Sequence, residues 1–182
     1  MATIGFSTKF PWGEETHFVP KIWKGLTEYK IHDKLDIFLN GLEQYVIKNN
    51  LPDMDKIISK SLDDVFPKIH TIREDKADLW KPGRKIHPVV FNRTKDRFQF
   101  APVLECKSVQ KIEIRYIPEM PWLGCIKING IFKSVFNSNF SDDKDFLNQL
   151  ALNDGFNSIE DFFRFFNKNF TGKIIHFTNF EY

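Results

Sequence analysis

The run Phe66-Pro67-Lys68-Ile69-His70-Thr71-Ile72-Arg73-Glu74-Asp75 gathers an amine, an imidazole, a hydroxyl, a guanidinium and two carboxylates. Such a set can do acyl chemistry. A lysine drawn out of water has its charged form disfavoured, so its pKa falls from about 10.4 and it becomes a usable base. A threonine hydroxyl beside it can then lose its proton and attack a carbonyl. A carboxylic acid from elsewhere in the chain must protonate the leaving group. A plainer reading stands beside this one: Lys68 and Arg73 as solvated strand ends, with Thr71 present for its β propensity.

The elements around the run constrain how it can work. Pro67 has no backbone donor and is excluded from helix interiors, so the helical pattern before it must stop there. Ile69, Thr71 and Ile72 then favour a strand. Lys68 and Thr71 would point to opposite faces of a regular strand. They can share a site only if Lys68 sits on the turn before the strand or a bulge intervenes.

Lys-Ile-His-Thr-Ile-Arg at 68–73, followed by Trp80-Lys81-Pro82-Gly83 and a further strand, resembles the ASCH superfamily of PUA-like β-barrels. It is similar in particular to the small bacterial N4-acetylcytidine amidohydrolases, which carry a Lys-x-x-Thr-Ile-Arg motif and a downstream Ala-x-x-Glu. Ala151-Leu152-Asn153-Asp154 matches the second segment, with Asp in place of Glu and an arm shorter by one methylene. The resemblance covers residues 1–26 weakly and about 66–182 well. It implies Lys68 as base, Thr71 as nucleophile and Asp154 as acid. It also implies that His70 and Arg73 orient or bind substrate, and that no cofactor takes part.

The composition sets the frame. The chain has 182 residues, which fits one domain, and 42% are hydrophobic, enough for a real core. The net charge of +2 argues neither for nor against nucleic acid. Twenty phenylalanines point to aromatic packing in a small barrel. Cys106 and Cys125 lie on separate expected strands without metal spacing and read as reduced core thiols. No segment has the apolar length of a membrane helix, and the N-terminal stretch lacks a signal pattern, which gives a cytoplasmic expectation.

Along the chain, 3–7 reads as a strand and 16–26 as a short helix, with His17 in a capping or surface role. Residues 27–65 read as helical: an amphipathic helix over 33–49, a break at Asn49-Asn50-Leu51-Pro52, and a second helix capped by Asp53. Beside the ASCH pattern this pair is an insertion, serving as a brace over the pocket or as a surface for a protein partner. Strands follow at 85–91, 103–107, 109–117, 122–128 and 131–135, broken by Pro118, Pro121 and the Asn129-Gly130 turn. Helices at 143–152 and 159–168, the latter capped by Ser158, lead to a last strand at 173–178. The expected fold is therefore α+β: a PUA-like barrel of about six strands with surrounding helices.

Three functional classes compete. The first is an amidohydrolase acting on an acylated nucleoside or base through Lys68, Thr71 and Asp154, with His70, Arg73, Trp80, Arg93 and His176 around the substrate. The second is a non-catalytic module for RNA or a modified nucleotide. It would use Trp80 for stacking and the basic, aromatic-interleaved Arg93, Lys95, Arg97, Phe98 and Phe100. The third is an adaptor working through the 27–65 helices. The sequence has no metal-ligand spacing and no Gly-rich phosphate loop.

Overall fold

The computed structural model describes residues 2–31, 62–137 and 144–182, with single helical positions at 36, 39, 40, 43 and 47. Those positions agree with the expected helix over 33–49. The rest of that helix and the helix begun by Asp53 lie outside the described residues, as does most of the proposed insertion.

The described residues form an α+β fold of nine strands in two sheets. They are β1 (Ala2–Gly5), β2 (His70–Arg73), β3 (Lys85–Val90), β4 (Phe98–Gln99), β5 (Leu104–Glu105), β6 (Ser108–Ile117), β7 (Met120–Ile128), β8 (Ile131–Asn137) and β9 (Phe170–His176). The helices are α1 (Phe18–Glu28), α2 (Lys144–Asn153) and α3 (Ile159–Phe165). The expected single barrel of about six strands is corrected here. The strands divide instead into a small mixed sheet, where β3 pairs with β1, β4 and β5, and an antiparallel sheet ordered β2-β9-β6-β7-β8. A strand on each sheet is left at an edge, so neither sheet closes on itself.

The division follows from two separate cores. Ile4, Phe6, Ile22, Trp23 and Phe100 pack in one; Ile112, Ile126, Leu150, Phe156 and Phe162 pack in the other. The pair β2–β9 stands between them. In its register Thr71 lies across from Ile175 and Ile72 from Ile174. Successive side chains face opposite ways, so Ile175 feeds the first core and Ile174 the second. Burying one such side chain contributes about 2 kcal/mol. Phe18, at the start of α1, packs against both cores.

Pro121 was expected to break the strands and instead lies inside β7. The β6–β7 register shifts there, from Tyr116↔Gly124 to Ile117↔Met120, so no ladder pairing falls on the proline. Helix α3 ends at Phe165, short of the expected 168, and Ser158 caps it by accepting from Asp161 N. No helix among the described residues is long and apolar enough to cross a membrane.

Candidate functional site

Lys68 reaches the site because it precedes the strand. β2 begins at His70, so the pleat places no constraint on Lys68. Its backbone N donates to Lys21 O at 2.8 Å, and Ile69 N donates to Asn153 O at 3.0 Å. The entry to β2 is thus clamped between α1 and the end of α2. Close approach on the α1 side requires Gly25, where an added Cβ would stand 2.6 Å from Lys68 O.

Asp154 is presented by the way α2 stops. Phe156 N donates to Ala151 O at 3.0 Å and Gly155 N to Leu152 O at 2.8 Å, with Gly155 at φ +91°. This is a Schellman stop with glycine in the left-handed position, and it leaves Asp154 as the capping residue. The plain reading of Asn-Asp-Gly as a helix terminus therefore holds, and the terminus aims a carboxylate inward. Lys21 secures the turn from behind: its ammonium donates to Gly155 O at 2.7 Å and to Asn157 Oδ1 at 2.8 Å.

The two ends meet in a dry environment. Lys68 Nζ donates to Asp154 Oδ1 at 2.6 Å and also to the Asp154 carbonyl, and Ile72 N donates to the same carboxylate oxygen at 3.0 Å. Lys68 is 1% exposed and Asp154 4%. The Lys68 ammonium also lies 4.8 Å from the Phe18 ring centroid. Burial lowers the Lys68 pKa from 10.5 to about 8, although Asp154 opposes the fall. Burial raises the Asp154 pKa, against the pull of Lys68, its hydrogen bonds and Arg73. The negative end of α2 acts on Asp154 in the same direction as burial. One proton moved from Lys68 to Asp154 converts the ion pair into a neutral amine and a carboxylic acid, a base and an acid in one contact.

Beside the pair opens a cavity of about 460 Å³, lined by Lys68, Thr71, Arg73 and Asp154 and walled by phenylalanines that include Phe18 and Phe156. Its size is in the range of small-molecule sites. Thr71 and Arg73 share a face of β2, with Arg73 Nε donating to Thr71 Oγ1 at 3.4 Å and Arg73 Nη2 to Gly5 O at 2.7 Å. Burial lowers the Arg73 pKa, opposed by Asp154.

The other expected site residues lie elsewhere. Trp80 is buried in the first core and does not line the cavity. His70 and His176 are wholly buried on the opposite face of β2–β9, with ring centroids 5.3 Å apart. Arg93 is exposed and lines a separate open hollow of about 390 Å³ with Phe91 and Asn92. Sequence reasoning missed Lys21, Thr16 and the Phe10 and Phe18 walls, while a pocket lined by Phe156 and its neighbours was an open possibility. Lys21 sits among the apolar positions of α1, and that placement was the available signal for a buried lysine.

No group of three or more His, Cys, Asp or Glu among the described residues could hold a metal ion. Fold and site together define an α+β protein with a buried lysine–aspartate pair at the floor of an aromatic cavity. Comparison with family models, curated proteins and solved structures finds no match to this chain.

Proposed function

We propose that the protein is an amidohydrolase that removes the acyl group from a modified nucleoside or base, and that its two open sheets are a variant of the ASCH, PUA-like fold its motif resembles. The observation that carries the reading is the buried Lys68–Asp154 contact at 2.6 Å, opening with Thr71 into one cavity. In the proposed reaction, neutral Lys68 takes the Thr71 hydroxyl proton and Thr71 Oγ1 bonds to the acyl carbon. Asp154 gives its proton to the departing amine as the C–N bond breaks. Water then cleaves the acyl ester, returning Thr71 and releasing the acid. Ile72 N–H is committed to Asp154, so Arg73, whose Nε reaches Thr71 Oγ1, is assigned as the donor to the developing oxyanion. The phenylalanine walls suit a flat ring.

The test is a panel of acylated cytidines incubated with the protein and followed by loss of the acyl group. Deacylation that disappears in Thr71→Val supports the reading; a panel left intact by the wild-type protein sinks it.

A second reading, a non-catalytic RNA-binding module, is favoured by the exposed Arg93, Lys95 and Arg97 beside the Phe91–Arg93 hollow. Phe100 is fully buried and takes no part in it. Under this reading RNA affinity falls steeply with salt and Arg93→Ala flattens the slope. Absence of binding at low salt removes it.

A further inference from the structure

Behind the Lys68–Asp154 pair lies a second polar group that the proposed reaction leaves unused. It comprises His70 on β2, Gln110 on β6, Asn153 at the end of α2, His176 on β9, and Tyr182. Tyr182 is held at its backbone: its N donates to Gln110 Oε1 at 3.0 Å and its carbonyl accepts from Gln110 Nε2 at 2.9 Å. Its hydroxyl oxygen accepts from Asn153 Nδ2 at 3.0 Å and lies 2.8 Å from His70 Nε2.

The pairing around each ring bears on which nitrogen carries the proton. Gln110 Oε1 is an acceptor, and His176 Nε2 stands 3.0 Å from it, so His176 must donate from Nε2. His176 Nδ1 is then a bare lone pair, the cheaper group to leave unmatched. At His70 the logic reverses. The Tyr182 oxygen already accepts from Asn153, and the acceptor within reach of its own proton is His70 Nε2. Pairing the Tyr182 proton therefore places the His70 proton on Nδ1. That nitrogen is buried without a hydrogen-bond partner and sits 3.8 Å from Asp154 Oδ1, the same oxygen that receives Lys68.

We infer that Tyr182 and Asn153 lock His70 as the Nδ1–H tautomer, making His70 a positioning residue whose N–H backs the Asp154 carboxylate. Its use in turnover rests on the acid role assigned to Asp154 above. When Asp154 gives its proton to the leaving amine, the new charge on Oδ1 draws the His70 N–H into hydrogen-bond range, and no proton needs to leave the imidazole. The ring stays neutral throughout. Burial, His176 and Lys68 all hold the His70 pKa well below the usual 6.5, and burial takes His176 down to about 4, opposed by Glu181. The titratable groups facing Asp154 are Lys68, Arg73, His70 and Tyr182.

The test begins with the ¹⁵N-labelled full chain and needs no substrate. Long-range ¹H–¹⁵N spectra should show His70 protonated at Nδ1 and His176 at Nε2, both neutral from about pH 5 to about pH 8. His70 protonated at Nε2, or present as imidazolium, overturns the inference. In Tyr182→Phe the lock is gone. The Asp154 carboxyl, followed by ¹³C, should then titrate about one pH unit higher, because a donor to its charged form has been weakened. An unchanged midpoint in a folded Tyr182→Phe overturns the inference as well. An acyl-cytidine panel left intact while both tautomers stand as stated counts against the hydrolase alone.

Discussion

Replacing Lys68 by Met and Asp154 by Asn together removes both charges while keeping side chains of similar size. The buried amine costs the fold stability. Lys68 keeps its proton to 10.5 in the unfolded chain and loses it at about 8 in the folded one. At about 1.4 kcal/mol for each pH unit, that drop amounts to about 3 kcal/mol. Below pH 8 both states hold the proton and the fold carries the whole cost. Between 8 and 10.5 the unfolded chain binds more protons, so wild-type stability rises with pH. Cys106 acts the other way, because burial raises its pKa from 9.0 to about 11 and stability falls across that interval. The double variant keeps Cys106, so the difference from wild type isolates the pair. Urea titrations at successive pH values should show the variant's advantage over wild type shrinking by about 3 kcal/mol from pH 7 to pH 10.5. Neutral replacement of a buried pair is commonly stabilising, whereas Lys68→Met alone, which strands Asp154, should destabilise by about 3–5 kcal/mol at neutral pH. A difference that stays flat with pH would refute the claim that Lys68 is buried beside Asp154 with a lowered pKa.

Other substitutions separate chemistry from support. Asp154→Asn keeps the shape and removes the titratable proton, so turnover of an acylated cytidine should fall by about 10²-fold or more while substrate binding survives; unimpaired turnover would make Asp154 a helix stop only. Asp154→Glu restores the longer arm of the motif the chain resembles. Asp154 already contacts Lys68 at 2.6 Å, so the added methylene should overpack the floor and cost about 1–3 kcal/mol in a denaturation curve. Thr71→Val should reduce turnover by roughly 10³-fold or more. It should change stability by no more than about 1 kcal/mol, because the bond given up, from Arg73 Nε, is long at 3.4 Å. Gly155→Ala places a Cβ 2.8 Å from Lys68 Cδ and from Phe18 at a φ of +91°, and should cost about 1–3 kcal/mol and displace the lysine, read by calorimetry and by turnover together.

Much of the local structure was legible in the residues. The position of Lys68 on the approach between Pro67 and the strand was one of the two options open to it, and β2 does begin only at His70. Asn-Asp-Gly ends α2, because a left-handed position after a helix selects glycine. Ser158 caps α3, and the alternating runs from 108 to 137 became the β6–β7–β8 meander. That His176 points away from its strand neighbour Ile175 is legible too, because successive side chains alternate. Whether that face meets solvent was not, because both faces of β9 are buried and alternation reports direction only.

By itself, then, the sequence determined most of the elements, several of their ends and the residue types able to do acyl chemistry. All of these depend on bonds within a few residues of one another. Only the tertiary structure decided that Lys68 and Asp154, 86 residues apart, share a proton site. It also decided that Lys21 braces them from α1, that Trp80 serves a core, and that Tyr182 reaches His70. The two cores, in place of one closed barrel, were decided at the same level. Such outcomes turn on which elements exclude water from one another. Desolvation of a charge is a property of everything packed around it, and no local period or spacing records it.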